Sequence, residues 1–121
     1  MERQMIEDLS DCMKYLRTLD DVLAEKLGIM GFCLGGGLTY QLSTMYPFSA
    51  SVPFYAGEDE RINAGVPSLV EAMVKYKKQF SMKIHKGAQH SFFNETRPSY
   101  NKEAATDAWE SSLAFFKKNL K

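Results

Sequence analysis

Residues 27–36 read LGIMGFCLGG, and this stretch decides the fold. Its first six positions are mostly apolar, and they end at a thiol and a run of glycines. A short apolar run bounded in this way is typical of a buried strand in a parallel sheet. Apolar residues then recur at helical spacing, at Leu38, Leu42 and Met45, until Pro47, whose ring disfavours helical geometry in the residue before it. We therefore predict a strand that turns sharply at Cys33 into a helix.

Hydrophobic periodicity predicts the elements on both sides of this turn. Three- and four-residue steps between apolar positions indicate helices, and strict alternation indicates a strand with one buried face. In chain order, these patterns predict a helix over 5–19, a strand over 51–55, a helix over 67–79, a strand over 80–85 and a helix from about 101 onward. Pro53 cannot donate a ladder hydrogen bond, so it suits an edge, an end or a bulge of its strand.

The alternation of helices and strands predicts an α/β fold. We expect one domain over residues 1–121, with a small parallel sheet of about three strands flanked by about four helices. A chain of 121 residues is within the usual size of a single domain.

Charge and hydropathy exclude several classes of partner. The chain carries 15 acidic and 15 basic side chains, interspersed, so it lacks the basic patch that holds nucleic acid or anionic lipid. No apolar run approaches the roughly 20 residues of a membrane helix, and the N-terminus lacks a signal-peptide pattern. We expect a soluble, cytoplasmic protein whose two cysteines are thiols rather than a disulfide.

Residues 31–36 have the form of a nucleophile elbow with cysteine in place of serine. Glycines two positions to either side of Cys33 would remove side chains that collide where strand and helix meet. Unpaired N–H groups at the start of the following helix favour a thiolate, and the N–H of Leu34 can point at a developing oxyanion. The alternative is that Cys33 is a small buried hydrophobe in a tight turn. A phosphate-binding loop is disfavoured because no Lys-Ser/Thr pair follows the glycines.

Candidate partners for this thiol follow the next two predicted strands. An acidic cluster, Glu58, Asp59 and Glu60, follows the second strand, and His90 follows the third. The order nucleophile, acid, histidine is that of α/β-hydrolases, where loops at the carboxyl ends of neighbouring strands converge on one crevice. Each of the three carboxylates is a candidate for the acid, and a solvated acidic turn is the alternative for the cluster.

Two further residues of reactive type are left out of this site. His85 falls on the polar face of an alternating strand, so we expect it at the surface. Cys12 lies on the apolar stripe of the first helix, so we expect it in the core.

The motifs resemble those of the dienelactone hydrolase (carboxymethylenebutenolidase) family. The resemblance extends from the first helix to Leu120, and it is carried by residues 30–37 (MGFCLGGG), 56–62 (AGEDERI) and 87–100 (GAQHSFFNETRPSY), followed by 108–110 (AWE). It implies the C-terminal portion of an α/β-hydrolase fold.

The resemblance also implies a reaction and a set of roles. The reaction is hydrolysis of a lactone or activated ester through a thioester acyl-enzyme, without metal or cofactor. Cys33 would be the nucleophile, Asp59 the acid, His90 the base and Leu34 the oxyanion donor. The expected substrate contacts adjoin the nucleophile and the histidine: Phe32, Ser91, Phe92 and Asn94.

The sequence also departs from the family pattern. Family members have a further N-terminal half of the sheet, which supplies a second oxyanion N–H. Tyr55 is joined to Ala56 where the family has another connection and strand, and Gln89 replaces a glycine before the histidine. An uncovered edge on strand 27–32 predicts a homodimer or higher homo-oligomer. Alternative functions are a non-catalytic family member that oligomerises and a thiol redox sensor.

Overall fold

A computed structural model describes residues 2–54, 66–75 and 91–121. Within these ranges the elements are, in chain order, α1 (Glu2–Leu16), β1 (Gly28–Phe32), α2 (Leu34–Met45), β2 (Ala50–Phe54), α3 (Val66–Lys75) and α4 (Lys102–Asn119). The chain divides into two compact units: unit 1 is Met1–Pro53 with Ser112–Lys121, and unit 2 is Phe54–Ser111. No described helix is both long enough and apolar enough to cross a membrane.

The two described strands form a parallel sheet in the order β1-β2. The N–H of Ser49 donates to the carbonyl of Leu27 at 2.9 Å, and these residues immediately precede the two strands. The strands therefore start side by side and run in the same direction, with α2 as the crossover between them. This confirms the predicted strand, helix and strand. The third predicted strand, over 80–85, lies outside the described residues.

One face of α2 is buried against the sheet. Leu38 and Leu42 are 8% and 1% exposed, and burying a leucine side chain contributes about 2 kcal/mol. Both residues were on the predicted apolar face. Met45, the third apolar residue of that pattern, is 57% exposed, because it lies in the last turn of the helix.

The helix α1 packs against α2 through a narrower face than its sequence predicts. Met13 and Ser10 are buried, and the Ser10 hydroxyl lies 2.6 Å from that of Tyr46. Leu9 and Leu16 remain about two-fifths exposed. Cys12 is exposed too, so its predicted core position is wrong. The apolar stripe of α1 is wider than the face that its neighbours in unit 1 cover.

The core of unit 2 is formed by the loop before α4 and the first half of that helix. Phe92, Ala104 and Ala108 are buried together, with partly buried Phe54 and Phe93 packed against them. Asn101 joins the loop to the helix: its N–H donates to the Phe92 carbonyl at 2.9 Å, and its Oδ1 accepts the N–H of Ala104 at 3.1 Å. This is the hydrogen bond of a helix N-cap, and it fixes where α4 begins.

Candidate active site

Cys33 lies between the end of β1 and the start of α2, with φ 55° and ψ −119°. Few residues other than glycine adopt a positive φ, because Cβ then crowds the backbone. Such strain is a feature of functional sites, where the surrounding structure imposes it. Cys33 is exposed, which excludes the alternative of a buried hydrophobe. The turn therefore presents the thiol at the carboxyl end of a strand, as an elbow requires.

Gly31 allows the elbow to close. A Cβ built on Gly31 would collide with the carbonyl of Gly35 and would lie 2.7 Å from Oγ1 of Thr39. A Cβ on Gly35 would meet nothing within 4 Å among the described residues. The predicted steric role is therefore confirmed for Gly31 but not for Gly35, which contributes its backbone carbonyl to the contact.

The amino end of α2 leaves N–H groups available beside the thiol. Gly36 and Gly37 donate to the Cys33 carbonyl at 3.0 and 3.2 Å. Within the described part of the chain, the N–H groups of Leu34 and Gly35 donate to no backbone carbonyl. Unpaired N–H groups at a helix start favour negative charge next to them. Leu34 as oxyanion donor stays a prediction, and no hydrogen bond of its N–H to another described residue competes with that role.

The surroundings of the thiol in unit 1 are apolar and accessible. Phe32 precedes Cys33 and is 41% exposed, and Leu34 follows it and is 59% exposed. No group of three His, Cys, Asp or Glu side chains within residues 2–54, 66–75 and 91–121 is placed to hold a metal ion.

In unit 2, residues 91–96 form a turn directly after the predicted base. Ser91 has a φ of 65°, and its carbonyl accepts the N–H of Asn94 at 3.0 Å. Oδ1 of Asn94 accepts from the N–H and the hydroxyl of Thr96, at 3.0 and 2.7 Å. Phe92 is 5% exposed and belongs to the core of unit 2. The roles of Ser91, Phe92 and Asn94 as substrate contacts stay predictions.

The described ranges contain only part of the predicted site. Phe32, Cys33 and Leu34 are brought together at the elbow in unit 1. The predicted acid and base, Asp59 and His90, and the alternative acids, Glu58 and Glu60, lie outside the described residues. His85, predicted at the surface, and Gln89 lie outside them too.

Sequence reasoning missed a group of hydroxyl residues where α2 meets the two strands. Thr39 and Ser43 are buried on α2, and the hydroxyl of Ser43 lies 2.7 Å from that of Ser51 on β2. Polar residues four positions apart beside the apolar positions Leu38 and Leu42 were the available signal.

Comparison with known proteins assigns the chain to a family. The family model described as the dienelactone hydrolase family matches residues 1–58 and 54–120, which together are nearly the whole chain. This protein belongs to the dienelactone hydrolase family. The sequence-based resemblance is confirmed by this match.

Relatives of this dienelactone hydrolase family member are longer than it is. A carboxymethylenebutenolidase homologue of Saccharolobus solfataricus is 40% identical over 138 aligned positions, which cover 97% of this chain and 52% of the relative. A carboxymethylenebutenolidase homologue of Synechocystis is 28% identical, and the alignment covers 98% of this chain and 61% of the relative. The crystal structure of a dienelactone hydrolase homologue from Klebsiella pneumoniae matches with a TM-score of 0.79 at 21% identity, over 97% of this chain and 62% of that one. The chain thus has the family's α/β-hydrolase fold and spans between half and two thirds of these proteins.

The same comparisons indicate that this chain lacks an internal segment that its relatives have. The alignment with the Saccharolobus protein is longer than the 121 residues of this chain, so the chain lacks positions that the relative has. The family model matches in two segments that meet at residues 54–58. This agrees with the prediction that Tyr55 and Ala56 are joined where the family has further residues.

Proposed function

We propose that this protein hydrolyses a lactone or an activated carboxylic ester, with Cys33 as the nucleophile. The family supplies the class of reaction. The observation that carries the proposal is the strained conformation of Cys33, at φ 55°, where a strand ends and a helix begins. Backbone strain and exposure do not stabilise a cysteine whose only role is packing. A nucleophile, in contrast, needs its sulfur held above the neighbouring backbone, which this strained turn provides.

The proposed reaction has two stages, each with a proton transfer. His90, oriented by Asp59, takes the proton of the Cys33 thiol, and the sulfur attacks the carbonyl carbon. The N–H of Leu34 donates to the resulting oxyanion. The C–O bond then breaks, the leaving oxygen takes the proton from His90, and the acyl group remains on Cys33 as a thioester.

Water completes the cycle. His90 takes a proton from a water molecule, whose oxygen attacks the thioester carbonyl. When the tetrahedral intermediate collapses, the C–S bond breaks, and Cys33 regains its proton from His90 as the carboxylic acid leaves. Both stages use only side chains, the Leu34 N–H and water, so the proposal includes no metal or cofactor.

The residues around the thiol favour an apolar acyl group. Phe32 and Leu34 flank Cys33 with accessible apolar side chains. We assign them, with Ser91, Phe92 and Asn94, to substrate contact. Because Oδ1 of Asn94 is engaged by Thr96, its Nδ2 is the group that would donate to a substrate oxygen.

Trapping the acyl-enzyme tests this proposal directly. After brief mixing with p-nitrophenyl acetate, we expect a burst of p-nitrophenol and one acetyl group, which peptide mass spectrometry locates on Cys33. The Cys12→Ser variant is the control and should be acetylated equally, because Cys12 is exposed on α1 at a different place in the fold. A slow linear release without a burst, or acetyl groups spread over lysines, would contradict a thioester mechanism.

We further propose that the protein acts as a homodimer or higher homo-oligomer in the cytoplasm. Among the described strands β1 pairs only with β2, and Met30 of β1 and Leu9 and Leu16 of α1 are between 37% and 42% exposed. Such apolar surface is commonly covered by association. Cysteines that form no disulfide suit a reducing compartment.

Light scattering tests the proposed association. At micromolar concentration we expect a mass of at least twice 13.7 kDa, and Leu9→Lys with Leu16→Lys should lower it. A monodisperse 13.7 kDa species for the unaltered chain would refute the oligomer.

A further inference from the structure

A hydrogen bond between the hydroxyls of Ser43 and Ser51 joins α2 to β2. Oγ of Ser43 lies 2.6 Å from the carbonyl oxygen of Thr39 and 2.7 Å from Oγ of Ser51. The Ser43 hydroxyl is the donor in both contacts, so its single proton is shared between the Thr39 carbonyl and Oγ of Ser51. The Ser43 residue is 6% exposed. Its hydrogen bond to Thr39 is therefore shielded from competing water, and its hydrogen bond to Ser51 is partly shielded.

The helix α2 also packs closely against β1, through a residue one turn closer to the elbow. Thr39 is 2% exposed, and its Oγ1 would lie 2.7 Å from a Cβ on Gly31. The hydroxyl thus fills the space that a side chain at position 31 would take. The helix α2 is thereby positioned against both strands, through Thr39 at β1 and through Ser43 and Ser51 at β2.

Cys33 is the single residue between β1 and α2. Its backbone dihedral angles are therefore determined by how these contacts place α2 relative to β1. A strained backbone persists only where the surrounding structure determines it. We propose that Thr39, Ser43 and Ser51 form a hydroxyl clamp that holds Cys33 at its positive φ and so sets the position of the sulfur. They are positioning residues, and their catalytic consequence rests on the proposed function.

A double-mutant cycle separates the clamp from a general contribution to stability. Cys33→Gly removes the strain at φ 55° in the intact protein, but it has little strain to remove once Ser43→Ala lets the elbow relax. The effect of Cys33→Gly on the unfolding equilibrium constant should therefore differ about tenfold between the two backgrounds, measured by urea denaturation. The backbone entropy of glycine is the same in both arms and cancels.

The chain contains a matched control. The hydroxyl of Ser49 donates to the carbonyl of Glu25 at 2.8 Å, outside the clamp and just before β2. Ser49→Ala removes the same kind of hydrogen bond, and it should leave the effect of Cys33→Gly unchanged. Equal effects of Cys33→Gly in the Ser43→Ala and unaltered backgrounds would overturn the clamp. If Ser43→Ala does not fold, Ser51→Ala breaks the same contact from the strand side.

Turnover supplies the second readout. In p-nitrophenyl acetate hydrolysis, Ser43→Ala should lower kcat about tenfold with KM within about twofold, because a displaced sulfur slows attack more than it weakens binding. Ser49→Ala should change neither. An unchanged kcat in Ser43→Ala would contradict the positioning role. Failure of the proposed function would give a different result. If Cys33 is not the nucleophile, turnover would survive Cys33→Ala, but the effect of Cys33→Gly on unfolding would still differ between the Ser43→Ala and unaltered backgrounds.

Discussion

Replacing Cys33 with alanine is expected to lower kcat/KM for p-nitrophenyl acetate by at least about a thousandfold, because no acyl-enzyme can then form. The substitution suits this site. Alanine also carries a Cβ, so it experiences the same strain at φ 55° as the native cysteine does. Because Cys33 is exposed, loss of its sulfur leaves no cavity. Steady-state kinetics and a urea titration on the same preparations would show whether activity falls while stability is retained.

Cys12→Ser is the matched control for this loss. Both cysteines are exposed, but Cys12 lies on α1 and not at the elbow. Its replacement should leave kcat/KM within about twofold. Equal turnover by Cys33→Ala and the unaltered protein would rule out the nucleophile. Rapid alkylation of Cys33 without any turnover would instead favour a thiol sensor.

The strand, elbow and helix could be predicted because their signals are local. An apolar run, a glycine two positions before Cys33 and apolar residues at helical spacing are all contained in 27–45. The close approach of Gly31 to the backbone of Gly35 explains why that glycine is needed. The sequence also predicted the family, since three separated motifs carried the resemblance.

Burial was predicted less well, because it depends on what covers each face. Leu9 and Cys12 lie on the apolar stripe of α1 as predicted, yet both are exposed in unit 1. Periodicity shows which side of a helix is apolar, but the width of the covered face is set by its neighbours. Met45 illustrates the same limit at the end of α2.

The supporting parts of the site were not predicted, since they consist of ordinary polar residues. Thr39 and Ser43 carry no motif, and their importance follows only from their contacts with Gly31 and Ser51. The positive φ of Ser91 is likewise a property of the turn that contains it, and serine is not a residue that signals such a backbone.

Gly31→Ala is expected to destabilise the protein by about 3 kcal/mol, which is a large share of the stability of a small domain. The new Cβ would overlap the carbonyl carbon and oxygen of Gly35 and would lie 2.7 Å from Oγ1 of Thr39. A side chain can rotate away from such a clash, but the backbone of Gly35 cannot move without opening the elbow. Urea denaturation should show a lower midpoint, and hydrolysis should fall with it as the Cys33 turn is distorted.

Gly37→Ala makes the same chemical change and is expected to have the opposite effect. Its Cβ would meet nothing within 4 Å among the described residues, and position 37 lies inside α2. Alanine has the higher helix propensity, so this variant should be more stable by about 0.5–1 kcal/mol. Equal stability of Gly31→Ala and Gly37→Ala would contradict the close approach of β1 to α2 at Gly31 and Gly35. The strained turn that presents Cys33 would then lack its physical basis.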